Sequence, residues 1–263
     1  MTQEKKAPVI VLASGGLDSS LVMAKLLKEG RDVVPMFSNY NQYSYLGESR
    51  SVRNVVDWLM YGPNKGPLSI NGVEKLAAYM VGDTNFEPST FDGNLHEVVE
   101  VHIDTQIGLI AACPGRVLSF VGAACIWAFT NDWQQGEIAI GIHEGDKKED
   151  SCRAGYQDSL NETVKSLTQD RMSIITPLMG MSREEMAKEI EEIGIPWNIM
   201  WNCYWSTPCG YQSPSMTYRC PGCRRKQESM RLVGRPESEW LVPNKNPSDV
   251  SNREIGRRDW KYK

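Results

Sequence analysis

The sequence predicts a doubly wound α/β fold built on a mainly parallel sheet, with a small metal-binding appendage at the C-terminal end. Three observations predict it. Short apolar runs rich in β-branched residues alternate with segments whose apolar residues recur at helical spacing, as in sheets covered by helices on both faces. A glycine turn follows the first of these runs and opens the first helix, which is where such sheets bind anions. Cys203, Cys209, Cys220 and Cys223 are spaced C-x5-C-x10-C-x2-C, a metal-ligand pattern. The expected division is an α/β domain over 1–196 and a zinc-binding region with a basic tail over 197–263.

Taken in order, Val9 to Ala13 form a continuous apolar run that reads as a buried strand, broken by Ser14, Gly15 and Gly16. From Leu17 the pattern is helical, with Leu21, Ala24, Leu26 and Leu27 on one face and Asp18, Ser19 and Ser20 in the first turn. Strand, glycine turn and helix N-terminus leave free N–H groups pointing outward at the partial positive end of a helix dipole. Ala13, Ser14, Gly15, Gly16, Leu17, Asp18, Ser19 and Ser20 are therefore the candidate anion cradle. Serine hydroxyls can donate to phosphate oxygens, whereas the Asp18 carboxylate suits Mg²⁺ or the backbone N–H groups. The bland alternative is an N-capped helix after a tight turn. A Walker lysine is absent, which excludes a P-loop kinase.

Asp32 to Ser38 reads as the second strand, followed by the loop Asn39-Tyr40-Asn41-Gln42-Tyr43-Ser44-Tyr45. Its tyrosines and amides can stack on a purine-like ring and bond its edge, or can simply be packed loop residues. A helix follows from Gly47 to Tyr61. The Gly-, Pro- and Asn-rich stretch 62–94 reads as an insertion with one amphipathic helix, Val73 to Met80. Val98, Val99, Val101 and Ile103 give the third strand. Gly115-Arg116 opens an apolar helix, Val117 to Thr130, and places a guanidinium beside free N–H groups, a seat for carboxylate or phosphate. The alternative is a surface arginine in a local ion pair.

Ile138 to Ile142 reads as the fourth strand and runs into a charged segment with His143, Glu144, Asp146, Lys147, Lys148 and Arg153. A helix (Tyr156 to Thr168), a strand (Ser173 to Thr176) and a helix (Ser182 to Ile193) complete the alternation. Ser182-Arg183-Glu184-Glu185 is a capping box, and Gly194 stops the helix.

Composition bounds the function. No apolar run is long enough for a transmembrane helix, the polar start does not read as a signal peptide, and seven cysteines fit a reducing, cytoplasmic setting better than a disulfide framework. The net charge of −4 hides a basic tail from Arg219 onward, suited to an acidic surface of its own chain or a partner, to nucleic acid, or merely to water. Four thiolates with no open position favour structural zinc. The alternatives for the cluster are a redox Cys-x-x-Cys or an iron–sulfur centre.

Two resemblances sharpen this. Ser14-Gly15-Gly16-Leu17-Asp18-Ser19 resembles the SGGxDS loop of the N-type (PP-loop) ATP pyrophosphatases, and implies their HUP, or adenine nucleotide alpha hydrolase-like, version of the fold. The stretches Ser14 to Ser19, Tyr40 to Gln42, Pro114 to Arg116, Gly141 to Asp146, Cys152-Arg153, Thr176 to Leu178, Cys203-Tyr204 and Cys220 to Arg224, in that order, resemble the QueC family of 7-cyano-7-deazaguanine (preQ0) synthases. That resemblance implies ATP-dependent adenylation of 7-carboxy-7-deazaguanine, displacement of AMP by ammonia, and dehydration of the amide by a second ATP. It implies catalytic roles for Asp18, Arg116, Asp146 and Arg153, and substrate contacts from Tyr40, Gln42, Arg116, His143, Asp146 and Arg153. It further implies ATP and Mg²⁺ at the loop, Zn²⁺ at Cys203, Cys209, Cys220 and Cys223, a homodimer, and no requirement for nucleic acid.

The sequence departs from the family on the acceptor side. The family's Tyr-Gly-Gln-Arg-His is Tyr40-Asn41-Gln42-Tyr43-Ser44, its Pro-Gly-Arg-Asn ends in Val117, and its Tyr-Pro-Asp-Cys-Arg is Glu149-Asp150-Ser151-Cys152-Arg153. Thr217 stands where the family has a cysteine, so Cys209 must take its place. A paralogue that stops at the amide, or joins the deazaguanine to another amine such as a protein's, is the alternative; a PP-loop tRNA-modifying enzyme is the second.

Overall fold

β1 (Val9–Leu12) lies at the centre of a five-stranded sheet and hydrogen-bonds to a strand on each side. The computed structural model of the chain describes residues 7–61, 94–103, 115–143, 155–205 and 220–236. The strands are β1, β2 (Val33–Asn39), β3 (Val99–His102), β4 (Gly136–Ala139) and β5 (Met172–Ile175). They run in the order β3-β2-β1-β4-β5, and every pairing is parallel. The chain therefore builds outward from β1 to β3, returns across the sheet, and builds outward again from β4. The reversal falls between β1 and β4, and the crevice beyond the carboxyl ends of those strands is where such sheets take ligands.

The helices are α1 (Leu17–Lys28), α2 (Tyr45–Tyr61), α3 (Arg116–Thr130), α4 (Tyr156–Thr168), α5 (Arg183–Ile193) and α6 (Pro221–Leu232). The two-residue period of the strands divides the core between the two faces. Val9, Val11, Ala13, Val33 and Phe37 point into a cluster with α1, α2, α5 and α6. Ile10, Val34, Met36 and Ile138 point the other way, against Val121, Ala124 and Ala128 of α3 and Leu160 and Val164 of α4. Covered on both faces, β1 and β2 have no room for the polar alternation of a half-exposed strand. β3 is the exception. Its residues are half-buried, and Glu100 pairs with Arg53 at 2.7 Å, a charged edge of the kind that discourages pairing with another sheet.

The predicted elements among the described residues are all present, with two differences. The fourth strand begins and ends two to three residues early, because Glu137 pairs with Arg31 at the strand's start, and the Ile142 N–H turns back to the Ile140 carbonyl at 2.9 Å beyond its end. Its charged first residues hid the strand in the sequence. The C-terminal segment also holds a helix, α6, opened by Cys220 as N-cap with Pro221 in its first turn. Cys203, Cys220, Cys223 and Met230 belong to the same apolar cluster as α1 and α2, so this segment is packed into the main core. The capping box forms as expected: Ser182 Oγ accepts from Glu185 N at 3.2 Å, Glu185 accepts from Ser182 N at 2.7 Å, and Gly194 holds a φ of 83°. The helix expected at Val73 to Met80 lies outside the described residues. No helix among the described residues is long and apolar enough to cross a membrane.

Leu21 is wholly buried where α1 meets the sheet. Leu21→Ala should lower the unfolding free energy by about 2 to 5 kcal/mol, measured by urea titration. A loss below about 1 kcal/mol would mean that α1 is not packed as described.

Candidate active site

The loop after β1 has the shape expected of an anion cradle. Gly15 has a φ of 70°, and a Cβ there would run into Val52 N and Ser51. Only glycine meets both conditions. Gly16 is the N-cap of α1 and supplies no side-chain cap, so the first-turn N–H groups of Leu17, Asp18 and Ser19 have no acceptor within the helix. Ser14 is exposed, while Ser19 and Ser20 are buried. Ser19 Oγ accepts from Ser14 N at 3.3 Å and holds the loop closed; Ser20 Oγ donates back to the Gly16 carbonyl at 2.7 Å. Ala13 and Leu17 face the core. Asp18 stands partly exposed on the first turn, against the backbone leaving β4: a Cβ on Gly141 would lie 3.1 Å from the Asp18 Cβ. Buried His143 follows directly. The loops of β1 and β4 thus meet at the topological switch point.

A strap from Ile199 to Cys203 braces this loop from behind. Trp201 N donates to the Gly15 carbonyl at 2.9 Å. The Ser51 hydroxyl lies 2.7 Å from that carbonyl and 2.6 Å from the Ile199 carbonyl, so its single proton is shared between them. The Trp201 indole lies on the bare Cα of Gly47, and its Nε1 donates to the Cys203 carbonyl at 2.9 Å. From the other side, Lys226 of α6 is buried and donates to the Met200 carbonyl at 2.7 Å. Burial pushes the Lys226 ammonium down to about 7, against an upward pull from Cys223.

On the neighbouring part of the same edge, Tyr40 and Arg116 come together: Arg116 Nη1 is 3.4 Å from the Tyr40 hydroxyl, and the Tyr40 and Phe120 rings are 5.2 Å apart. The buried Gln42 amide is fully engaged within the loop, accepting from Tyr40 N and donating to the Ser38 carbonyl and to Glu48. Glu48, which the sequence reading did not single out, lies at the centre of this group. Its carboxylate accepts from Gln42 at 3.0 Å and Ser44 at 2.8 Å. Burial raises its pKa; the Gln42 and Ser44 hydrogen bonds and the Arg116 charge oppose the rise. Tyr43 packs on Trp205 with ring centroids 5.3 Å apart. Asp146, Arg153 and Cys209 lie outside the described residues. Ser51, Trp201 and Lys226 were also missed, since nothing local in sequence connects them to the loop they hold.

The family model of the queuosine biosynthesis protein QueC matches residues 8–234. The chain belongs to the QueC family. It is 27% identical over 241 residues to the 7-cyano-7-deazaguanine synthase of Sulfurihydrogenibium sp. (strain YO3AOP1), across 86% of this chain and 96% of that protein. To the synthase of Aquifex aeolicus (strain VF5) it is 24% identical, across 88% and 99%. A solved 4-thiouridine synthetase–RNA complex with bound ATP aligns with a TM-score of 0.45 at 15% identity, over 89% of this chain and 53% of that chain, a likeness too loose to bear on chemistry.

In this QueC chain the sulfurs of Cys203, Cys220 and Cys223 lie within 4.8 Å of one another, all buried. The Cys203–Cys220 separation of 3.9 Å is close to the edge of about 3.8 Å that a tetrahedron with zinc–sulfur bonds of about 2.3 Å requires. Soft sulfur donors in a closed, buried set fit a structural zinc ion. Hydrogen bonding with Cys203, then Cys223, holds the Cys220 thiol well below its ordinary value, and the same contact pushes Cys203 up to about 12. Cys220 is also the N-cap of α6 and accepts from Cys223 N at 3.5 Å, a position that favours thiolate.

Three outcomes follow from this geometry. Gly15→Ala should destabilise the protein by at least about 1 kcal/mol and abolish nucleotide binding; full binding would refute the loop's role. Metal analysis should find about one zinc per chain, lost in Cys220→Ser together with a fall in melting temperature. Iron in place of zinc would overturn the ligand chemistry. For Glu48, a raised folded-state pKa means that the native state binds more protons than the unfolded chain, so stability falls as pH rises from about 4.5 through the folded value. Glu48→Gln removes that slope. Its melting temperature should gain on the parent's between pH 4 and pH 7, and a constant difference would contradict the assignment.

Proposed function

We propose that this QueC family member uses ATP to adenylate the carboxylate of 7-carboxy-7-deazaguanine, that ammonia displaces AMP to give the amide, and that a second ATP drives its dehydration to 7-cyano-7-deazaguanine. The observation that carries the reading is the pyrophosphate-type loop at the switch point, with the Arg116–Tyr40 pair on the same sheet edge. The relatives named 7-cyano-7-deazaguanine synthase support the choice of substrate.

The division of labour follows from the residues. In the first step a carboxylate oxygen attacks the α-phosphorus, and the bond to the bridging oxygen of the β-phosphate breaks. Charge then grows on departing pyrophosphate, and the first-turn backbone of α1, with the Ser14 hydroxyl, would stabilise it. Asp18 would hold Mg²⁺, which neutralises phosphate charge. The Arg116 guanidinium would seat the substrate carboxylate, and Tyr40 would pack against the deazapurine. Gln42 serves by shaping the loop around them. His143, Asp146 and Arg153 would complete the substrate side. An amine then attacks the acyl carbon, AMP leaves with its electron pair, and the amine loses a proton. For the nitrile, the amide oxygen is adenylated in turn; AMP departs and the nitrogen gives up its protons. Zinc held by Cys203, Cys209, Cys220 and Cys223 would be structural. A cytoplasmic homodimer acting on small molecules belongs to the same reading.

One observation favours a different acceptor. Where the family carries arginine and histidine, this chain has Tyr43, packed on Trp205, and Ser44, bonded to Glu48. Neither offers a cation to the acceptor side. The second reading therefore keeps the adenylation and ends at the amide, or at a bond to another amine such as a protein's.

Mass spectrometry after incubation with ATP, Mg²⁺, ammonia and 7-carboxy-7-deazaguanine should show AMP with the amide or nitrile. AMP without either product would favour another amine, and no AMP would refute the substrate class. Asp18→Ala should abolish turnover while leaving the melting temperature nearly unchanged, since Asp18 is partly exposed; an active variant would remove Asp18 from the mechanism.

A further inference from the structure

Asn202 stands out as a polar residue that neither the cysteine site nor the core accounts for. Its backbone is pinned from behind: Gly222 of α6 sits so close to the Asn202 carbonyl that a Cβ there would collide with it. Its side chain reaches the pyrophosphate loop. Nδ2 is 3.7 Å from the point where a Gly16 Cβ would sit, beside Ser14 Oγ at 3.3 Å and the Trp201 carbonyl at 3.2 Å from the same point. The Oδ1 atom is buried and has no hydrogen-bond partner among the described residues.

A buried amide oxygen without a partner is destabilising, and proteins retain such groups where something else satisfies them. We propose that Asn202 is a nucleotide-binding residue, its amide forming one wall of the triphosphate cradle. The inference rests on the reading that Ser14 to Ser20 bind ATP. A carboxamide offers a donor and an acceptor on one rigid plane, so its ligand must present both kinds of group. A magnesium triphosphate does so: its non-bridging oxygens accept, and water on the cation donates. The requirement is the same whichever end of the amide carries the nitrogen. The amide lies within van der Waals reach of the loop at Gly16, and the pinned backbone of Asn202 holds it there.

The test compares Asn202→Ala and Asn202→Asp with the parent in equilibrium binding of α,β-methylene ATP and Mg²⁺, alongside metal content and the melting temperature of the nucleotide-free protein. Removing a hydrogen bond to a charged ligand should weaken binding about tenfold or more in Asn202→Ala. Asn202→Asp has the same shape but sets a negative charge against the triphosphate, so it should lose more. Bound metal should stay unchanged in both, and the melting temperature of Asn202→Ala should not fall, because an unsatisfied group is removed. Parental affinity in Asn202→Asp overturns the proposal. Losses of affinity that merely track lost metal or a lowered melting temperature overturn it too, since they describe a structural residue. If the parent binds no analogue while Gly15→Ala also changes nothing, the ATP reading fails and the proposal with it.

Discussion

The carbonyl of Gly15 is the point on which the site depends. It accepts the Trp201 N–H and faces the Ser51 hydroxyl, and its residue holds a backbone conformation and a closeness to α2 that no side chain tolerates. One peptide group thereby joins the loop after β1, the helix after β2 and the strap after α5. A phosphate cradle made of backbone N–H groups works only if those groups keep their directions before the ligand arrives. Here the loop is held by hydrogen bonds from α2 and the strap.

The cysteine site acquires a role from the same connection. Its ligands flank the strap, Cys203 at one end and Cys220 and Cys223 on α6 behind it, and Lys226 ties that helix to the Met200 carbonyl. A metal held by several thiolates would carry net negative charge, and the buried Lys226 side chain would offset it. A structural metal held there would stiffen the wall behind the loop after β1 without touching anything bound in front of it.

In the loop after β2 the organising group is Glu48. Its carboxylate organises Gln42 and Ser44 and lies within the field of Arg116. Tyr43 packs on Trp205 and the Ser44 hydroxyl donates to Glu48, so both residues help the loop keep its shape.

Much of the fold and the shape of the loop after β1 was legible in the sequence because their causes are local. Val9 to Ser20 hold a strand, a turn and a helix start in one run, Ser182 to Glu185 hold a complete cap, and Cys220 to Cys223 bring two sulfurs together over three residues. The β4 boundary was less legible, because the pairing of Glu137 with Arg31 joins residues far apart in the chain. For the same reason nothing local in the sequence singled out Ser51, Trp201 or Glu48. Their functions come from hydrogen bonds and close approaches across the sheet edge, which exist only when α2, the strap and α6 have closed on the loop. The sequence by itself determined the strand–loop–helix unit and its chemistry, since neighbouring residues set backbone conformation. The tertiary structure alone decided what holds that unit rigid and which buried polar groups face it, since those depend on contacts between segments nearly two hundred residues apart.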